Sequence, residues 1–384
     1  MIIMKLTNLS VQLLAILALS APFMVSAVVE TNTDFGRLSL GGDAEINLNA
    51  SNTTRGNVLG QTSETRTDRW DEDGRLLLNF VGVRELEDGR YGQIQIQIQP
   101  TIGTNGGAGA DDAYLGFGQR SNWGMKVGRF EAYDMFPLGQ DIFVEHSRDS
   151  ANDLYSDGNG YVYMLKEGRG RAGKGGQLLL NKEAGNWYLE LSTLLRDRTN
   201  LFAGQQYHGY ALTKAKDSVI VRPVIAWKGE NLKVALGAEG NAINDAIVTT
   251  DDVSVSDRMG YGLTTSWTQD ALTVNVNAAR MDAEAETDTT LGANLLWHNA
   301  GLGYIYAIND ISSANLGNAS ADFGKMVGKH TINTVYASYK IPKVLDLNNF
   351  DIYLGAYWSQ LNVDSNEEDN IDRYGGRVRF KYFF

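Results

Sequence analysis

Three sets of side chains are spaced so that they can act together on a solute. The stretch from Asp134 to Asp157 holds Asp134, Asp141, Glu145, Asp149, Asp153 and Asp157 against a single Arg148. The last residues of the chain place Arg377, Arg379 and Lys381 on alternate positions, and Arg37, Arg75, Lys126, Arg222 and Lys233 have the parity to join them. Tyr91, Tyr155, Tyr188, Tyr353 and Tyr357 form the third set, with rings that can stack on a sugar. Carboxylates facing guanidinium groups across a narrow passage create a transverse field, which sorts solutes without making or breaking a bond. Bond-making chemistry finds little support. The chain has no cysteine and four histidines, His146, His208, His298 and His330, none of them in a local Ser-His or His-Asp constellation. Gly168 to Gly175 imitates a phosphate loop, but Gly175 stands where magnesium needs Ser or Thr. Asp157-Gly158-Asn159-Gly160 lacks the closing Glu of a calcium loop. No metal and no cofactor is expected, and a formal net charge of −12 argues against nucleic acid.

Such residues need strands to hold them. From Tyr374 to Phe384 every residue alternates: Tyr374, Val378, Phe380, Tyr382 and Phe384 on one face, the three cations on the other. In a soluble sheet that aromatic edge invites aggregation, whereas a closed barrel in a bilayer needs an apolar outside and tolerates charge in a wet lumen. The same period of 2 runs from Phe35 to Asn49, and through Gln93, Gln95, Gln97 and Gln99 against Ile94, Ile96 and Ile98. No stretch after the first 27 residues approaches the roughly 20 apolar residues of a spanning helix. Met1 to Ala27 has the charge, the apolar run and the small-residue site of a cleaved secretory signal peptide, leaving 28–384 as a single barrel domain. A mean hydropathy of −0.26 is what alternating lumen and lipid residues average to.

Sixteen strands can be placed: about 35–49, 75–86, 90–99, 111–119, 123–133, 174–183, 187–196, 218–228, 232–241, 258–268, 272–280, 289–298, 302–309, 330–340, 350–360 and 373–384. Short turns alternate with long polar connections, the outer-membrane barrel pattern. Trp123, Trp187, Trp227, Trp267 and Trp297 all lie within a few residues of a short turn, as an interfacial girdle requires. Three details strain the pattern. Pro223 inside a strand suggests a bulge. Lys126 and Arg129 share a face only if the register breaks near Gly128. Arg84 has lipid parity and belongs at the interface rather than the midplane, where it would cost about 2–4 kcal/mol.

The longest connection, 134–173, mixes carboxylates with Phe136, Pro137, Ile142, Phe143 and Tyr155, the anchors that a loop folded against the inner wall would need. Lys126-Val127-Gly128-Arg129-Phe130-Glu131-Ala132-Tyr133-Asp134, the acidic stretch after it and the terminal phenylalanine together resemble a Gram-negative outer-membrane porin. Gly128 to Asp141, with its Phe-Pro, is most similar to the sugar-permeable glycoporins of the raffinose type. Pro137-Leu138-Gly139-Gln140 stands near the place of the Pro-Glu-Phe-Gly-Gly signature of general porins. The resemblance implies a sixteen-stranded antiparallel barrel, a homotrimer, a third external loop (134–173) that constricts the lumen, and a Phe384 read by the barrel assembly machinery. Lipid and lipopolysaccharide would surround it in the outer membrane. The function expected is passive diffusion of small hydrophilic solutes, including oligosaccharides. The alternatives are a general ion-permeable porin without sugar preference and, through His208 or His330 near the loop ends, an outer-membrane barrel enzyme.

Overall fold

The computed structural model describes residues 29–53, 67–102, 107–140, 145–146, 149–150, 160–165, 176–314, 327–363 and 371–384. Its main body is a closed antiparallel barrel of sixteen strands. They are β1 Gly36–Thr53, β2 Thr67–Glu85, β3 Arg90–Ile102, β4 Ala108–Gln119, β5 Trp123–Arg129, β6 Gln177–Ala184, β7 Trp187–Arg196 and β8 Ser218–Lys228. The second half is β9 Leu232–Asn241, β10 Met259–Gln269, β11 Leu272–Ala283, β12 Glu286–Trp297, β13 Ala300–Ile311, β14 Gly328–Ile341, β15 Phe350–Val363 and β16 Ile371–Phe383. β16 pairs with β1 from Asp43↔Phe383 to Thr53↔Arg373, so the barrel strands close on themselves and the backbone satisfies itself without water.

Side-chain alternation follows the pleat. Ile94, Ile96, Ile98, Leu236, Leu291 and Leu302 lie on the exposed outer face, while Glu45, Asn47, Glu190 and Asn277 are buried on the inner one. The five tryptophans noted from the sequence sit together beside the short turns, with Trp187 opposite Trp227 and Trp297 opposite Leu272. Arg84 is exposed one residue from the end of β2, the rim position its nearness to the turn implied.

All sixteen expected strands are present, several with shifted ends, such as β2, which begins at Thr67 rather than about 75, and with three further differences in detail. β5 ends at Arg129 rather than running to residue 133, because Gly128 adopts a φ of 138° and Phe130 turns inward. A Cβ at Gly128 would lie 2.3 Å from the Ala113 carbonyl oxygen, so only glycine fits this exit. β11 and β12 are joined by Glu284 and Ala285 alone, instead of by an eight-residue loop. Their upper ends rise past the apolar band, so Asp282, Glu284 and Glu286 read as loop although they are paired or sit at the turn. Pro223 makes no bulge. Val221↔Gly240 and Val224↔Gly237 keep one register, and the exposed proline costs the ladder a donor without shifting it.

Two smaller features flank the barrel. Val29–Thr33 folds back on Gly36–Leu40, continuing the line of β16 beyond its end. At the long-loop end, Tyr210–Lys214 pairs with both Gln206–Tyr207 and Ile247–Thr249 over a cluster of Leu201, Phe202, Tyr207, Leu212, Ile247 and Val255.

Candidate functional site

Residues 130–140 leave β5 and run inside the barrel along the inner faces of β7 to β14. Glu190 on β7 accepts a hydrogen bond from the Tyr133 amide at 3.0 Å. Arg222 on β8 pairs with Glu190 at 3.4 Å and donates to the carbonyls of Tyr133 at 2.6 Å and Leu165 at 3.4 Å. Farther along, Asn277 and Asn294 both donate to the Pro137 carbonyl, at 2.9 and 2.8 Å, and the Tyr336 hydroxyl donates to that of Leu138 at 2.9 Å. Residues 160–165 return over the same wall: Asn309 donates to the Tyr161 carbonyl at 2.8 Å, and the Tyr163 hydroxyl to Glu239, itself paired with Arg258 at 3.1 Å. Backbone carbonyls that a loop would otherwise leave dry are thus met by inward-facing side chains of the strands.

Apolar contact supplies the rest of the hold. Phe136, Tyr161, Val162, Tyr163 and Met164 pack on Ala279, Met281, Ile305, Ala307, Ile332 and Leu361, an apolar inner wall that a water-filled pore would not tolerate bare. Each fully buried anchor contributes about 1.5–3 kcal/mol. Inner-wall glycines make room for them. A Cβ at Gly292 would meet the Phe136 ring at 2.8 Å, and one at Gly262 would meet Leu165 at 3.0 Å.

Opposite lies a wall of another kind, formed by β16, β1 and β2. Lys381, Glu45 and Arg75 stand in one row across the three strands, and Arg379, Asn47 and Asp73 in the next. Glu45 receives Lys381 at 2.8 Å, Arg75 at 3.2 Å and Arg379 at 3.6 Å. Arg75 also reaches Asp43 at 3.6 Å and Asp111 at 3.9 Å, and Arg377 reaches Asp73 at 3.3 Å. Arg377 and Arg379 further donate to Asn49 and Asn47, at 2.6 and 2.8 Å. The basic column is therefore interleaved with carboxylates of its own wall. The backbone of Glu145–His146, paired with that of Asp149–Ser150, lies alongside β15 and β16.

A third region is a cavity of about 890 Å³, mouth included, at the short-turn end of β3 to β7. Tyr91, Lys126, Glu131, Tyr133, Tyr188 and Glu190 are among its lining. Tyr133 and Tyr188 lie 5.5 Å apart at 30°, with Lys228 over the Tyr188 ring at 4.0 Å and Arg120 over Tyr91 at 3.9 Å.

The residues expected from sequence divide accordingly. Arg75, Arg377, Arg379 and Lys381 come together on the charged wall. Arg222 does not join them: it is buried under the inward segment, whose carbonyls it holds. Arg37 is also removed from the wall, since it lies exposed at the rim, 3.9 Å from Glu30. Parity gave its face, but β1 begins below the lumen's charged rows. Lys126 faces the cavity, over the rings of Tyr114 and Phe130. Asp134 serves as a turn former, its Oδ1 accepting from the Phe136 amide at 2.8 Å. Asp141, Asp153 and Tyr155 lie outside the described residues, as do the side chains of Glu145 and Asp149. Tyr91 and Tyr188 both line the cavity, Tyr188 as a buried ring, whereas Tyr353 and Tyr357 are buried against the wall, too enclosed to stack on a passing ring. His208 is buried 3.2 Å from Glu286, and His330 packs edge-on to Tyr161. Sequence reasoning missed the wall carboxylates Glu45, Asp73 and Asp111 and the receiving glycines. Their inward parity was the available signal.

A family model described as porin-like glycoporin RafY matches residues 40–384. Among solved structures, the anion-selective porin from Comamonas acidovorans aligns over 90% of this chain and 99% of its own, at TM-score 0.54 and 11% identity. The Salmonella typhi OmpF in complex with daunomycin aligns over 93% and 100%, at 0.57 and 12%. A double mutant of the Rh. blastica porin aligns over 90% and 100%, at 0.50 and 17%. At such identities these likenesses show the fold. A search of the curated proteins found no match. With the family model spanning the whole barrel, and the barrel itself closed around a wall-lining inward segment and a charged face, the chain belongs to the porin-like glycoporin RafY family, outer-membrane channels for passive diffusion of solutes.

Proposed function

We propose that this channel passes small hydrophilic solutes with a preference for neutral oligosaccharides, and that the 134–173 connection forms its constriction. The observation that carries this reading is the division of the lumen. One wall is held under residues 130–140 and 160–165, and the other presents cations and carboxylates in alternation. A solute confined between them meets donors and acceptors at close spacing with little net charge, a surface that suits hydroxyl groups better than ions. The acidic residues Asp134, Asp141, Glu145, Asp149 and Asp153 would add carboxylate acceptors for hydroxyl groups from the loop side. The reading includes a homotrimer, lipopolysaccharide around the outer rim, cleavage after Ala27, and Phe384 as the assembly signal. In support of the last, the terminal residue closes the barrel's final rung by exchanging hydrogen bonds with Gly42 at 2.8 and 3.1 Å.

Reconstitution of the purified protein into a planar bilayer, followed by titration with oligosaccharides, tests it. Discrete conductance steps that fall as sugar is added are expected. Absence of steps would overturn the channel, and steps indifferent to sugar would reduce the protein to a general porin.

A further inference from the structure

The cavity at the short-turn end has no part in the constriction, yet it is more completely built than a vestibule needs to be. Its roof is the first turn of the inward segment, where Tyr133 is fixed by the Glu190 carboxylate through its amide and by Arg222 through its carbonyl. Its floor is the Arg120–Asn122 turn. The Tyr188 hydroxyl donates to Glu190 at 2.6 Å, which locks the ring paired with Tyr133. Arg120 pairs with Glu85 at 3.2 Å while its guanidinium rests on Tyr91. Rings held this firmly cost little entropy when a ligand lands on them.

The charges around it balance. Arg120, Lys126, Lys228 and Arg222 stand against Glu85, Glu131, Glu183 and Glu190. An anion or a cation entering would meet groups of its own sign as many as of the other, whereas a hydroxyl can donate to a carboxylate and accept from an ammonium at once. Gln119, Asn122 and Asn181 add amides that do both. Tyrosine faces among such groups fit the C–H faces of a pyranose, and the open mouth lets one ring lie on them.

We propose that this cavity is a docking subsite for a neutral saccharide at the inner mouth of the channel, occupied after the solute has passed residues 130–140. The inference rests on the channel reading above, since it requires a route for the sugar. It makes Tyr91 and Tyr133 the specificity-determining rings.

The test is sugar-induced current noise from the full chain in a planar bilayer, with sucrose and raffinose as probes. Tyr91→Ala and Tyr133→Ala are each expected to lower the sugar association constant about 2- to 10-fold. Tyr91→Phe, which keeps the ring, should retain most of the affinity, and so should Tyr261→Ala on the lipid face. A sugar acid of similar size should bind more weakly than its neutral parent. Unchanged sugar binding in both alanine variants, in channels that conduct, would overturn the subsite and leave the channel standing. Equal binding of the sugar acid would overturn the charge-balance argument. A parent protein with no conductance at all would instead sink the channel reading.

Discussion

The inner faces of β8 to β15 and of β16 to β2 follow opposite rules. On the first, lumen positions hold Val224, Ala279, Met281, Ile305, Ala307 and Ile332, and the chain covers them with its own inward segment. On the second they hold Asp43, Glu45, Asn47, Arg75, Arg377, Arg379 and Lys381, which satisfy one another. The contrast teaches that a barrel interior has two ways to be stable in water. It can bury apolar surface under a folded segment, or it can pair every charge laterally along the wall. A channel needs both, one to narrow the lumen rigidly and one to keep it wet.

Removing a pin from the covered wall should have the largest effect. Arg222→Ala leaves Glu190 buried without its cation and releases two loop carbonyls, at a cost of about 3–5 kcal/mol. Urea unfolding of the reconstituted protein should show the loss, and single-channel conductance should rise as the segment loosens. A variant of unchanged stability and conductance would show that the covered wall does not depend on this pin.

A milder loss is expected at Asn309, whose amide meets the Tyr161 carbonyl. Asn309→Ala should cost about 1–3 kcal/mol by leaving that carbonyl unsatisfied, measured by the same unfolding experiment. An effect equal to that of Arg222→Ala would mean that the two stretches of the inward segment are held as one unit.

On the charged wall the expected change is in selectivity rather than stability. Glu45→Gln removes the carboxylate shared by Arg75, Arg379 and Lys381 and leaves a net positive face. For an ion about 8 Å away at an effective dielectric of about 40 this is worth about 1 kcal/mol, favourable for an anion and unfavourable for a cation, or about a thirtyfold shift of the anion-to-cation permeability ratio. The reversal potential in a salt gradient should move toward anions, most at low ionic strength. An unmoved potential would mean that the paired wall does not face the permeating ions.

Much of this architecture was legible in the residues, and the parts that were not share a cause. Alternation such as Gln93 to Gln99 against Ile94 to Ile98 repeats within one strand, so sixteen strands and their faces could be placed without a fold. The basic column on β16 was visible for the same reason. Its neutralisation was not, because Glu45 meets Lys381 only when the last strand closes on the first, across more than 300 residues. Arg37 and Arg222 had the right parity and the wrong surroundings. Tyr353 and Tyr357 likewise faced inward as expected, yet the packing around them leaves no ring face open.

Local periodicity is a property of neighbouring residues, and it was enough to specify a transmembrane barrel, its short turns and its tryptophan girdle, while the apolar anchors of a long connection pointed to an inward segment. Which wall that segment covers depends on contacts such as Phe136 with Gly292 and Pro137 with Asn277, set by the closure of the whole ring. Parity assigns a face, because the strand repeat is 2. Depth, partner and exposure belong to the closed barrel, where strands far apart in sequence share one lumen.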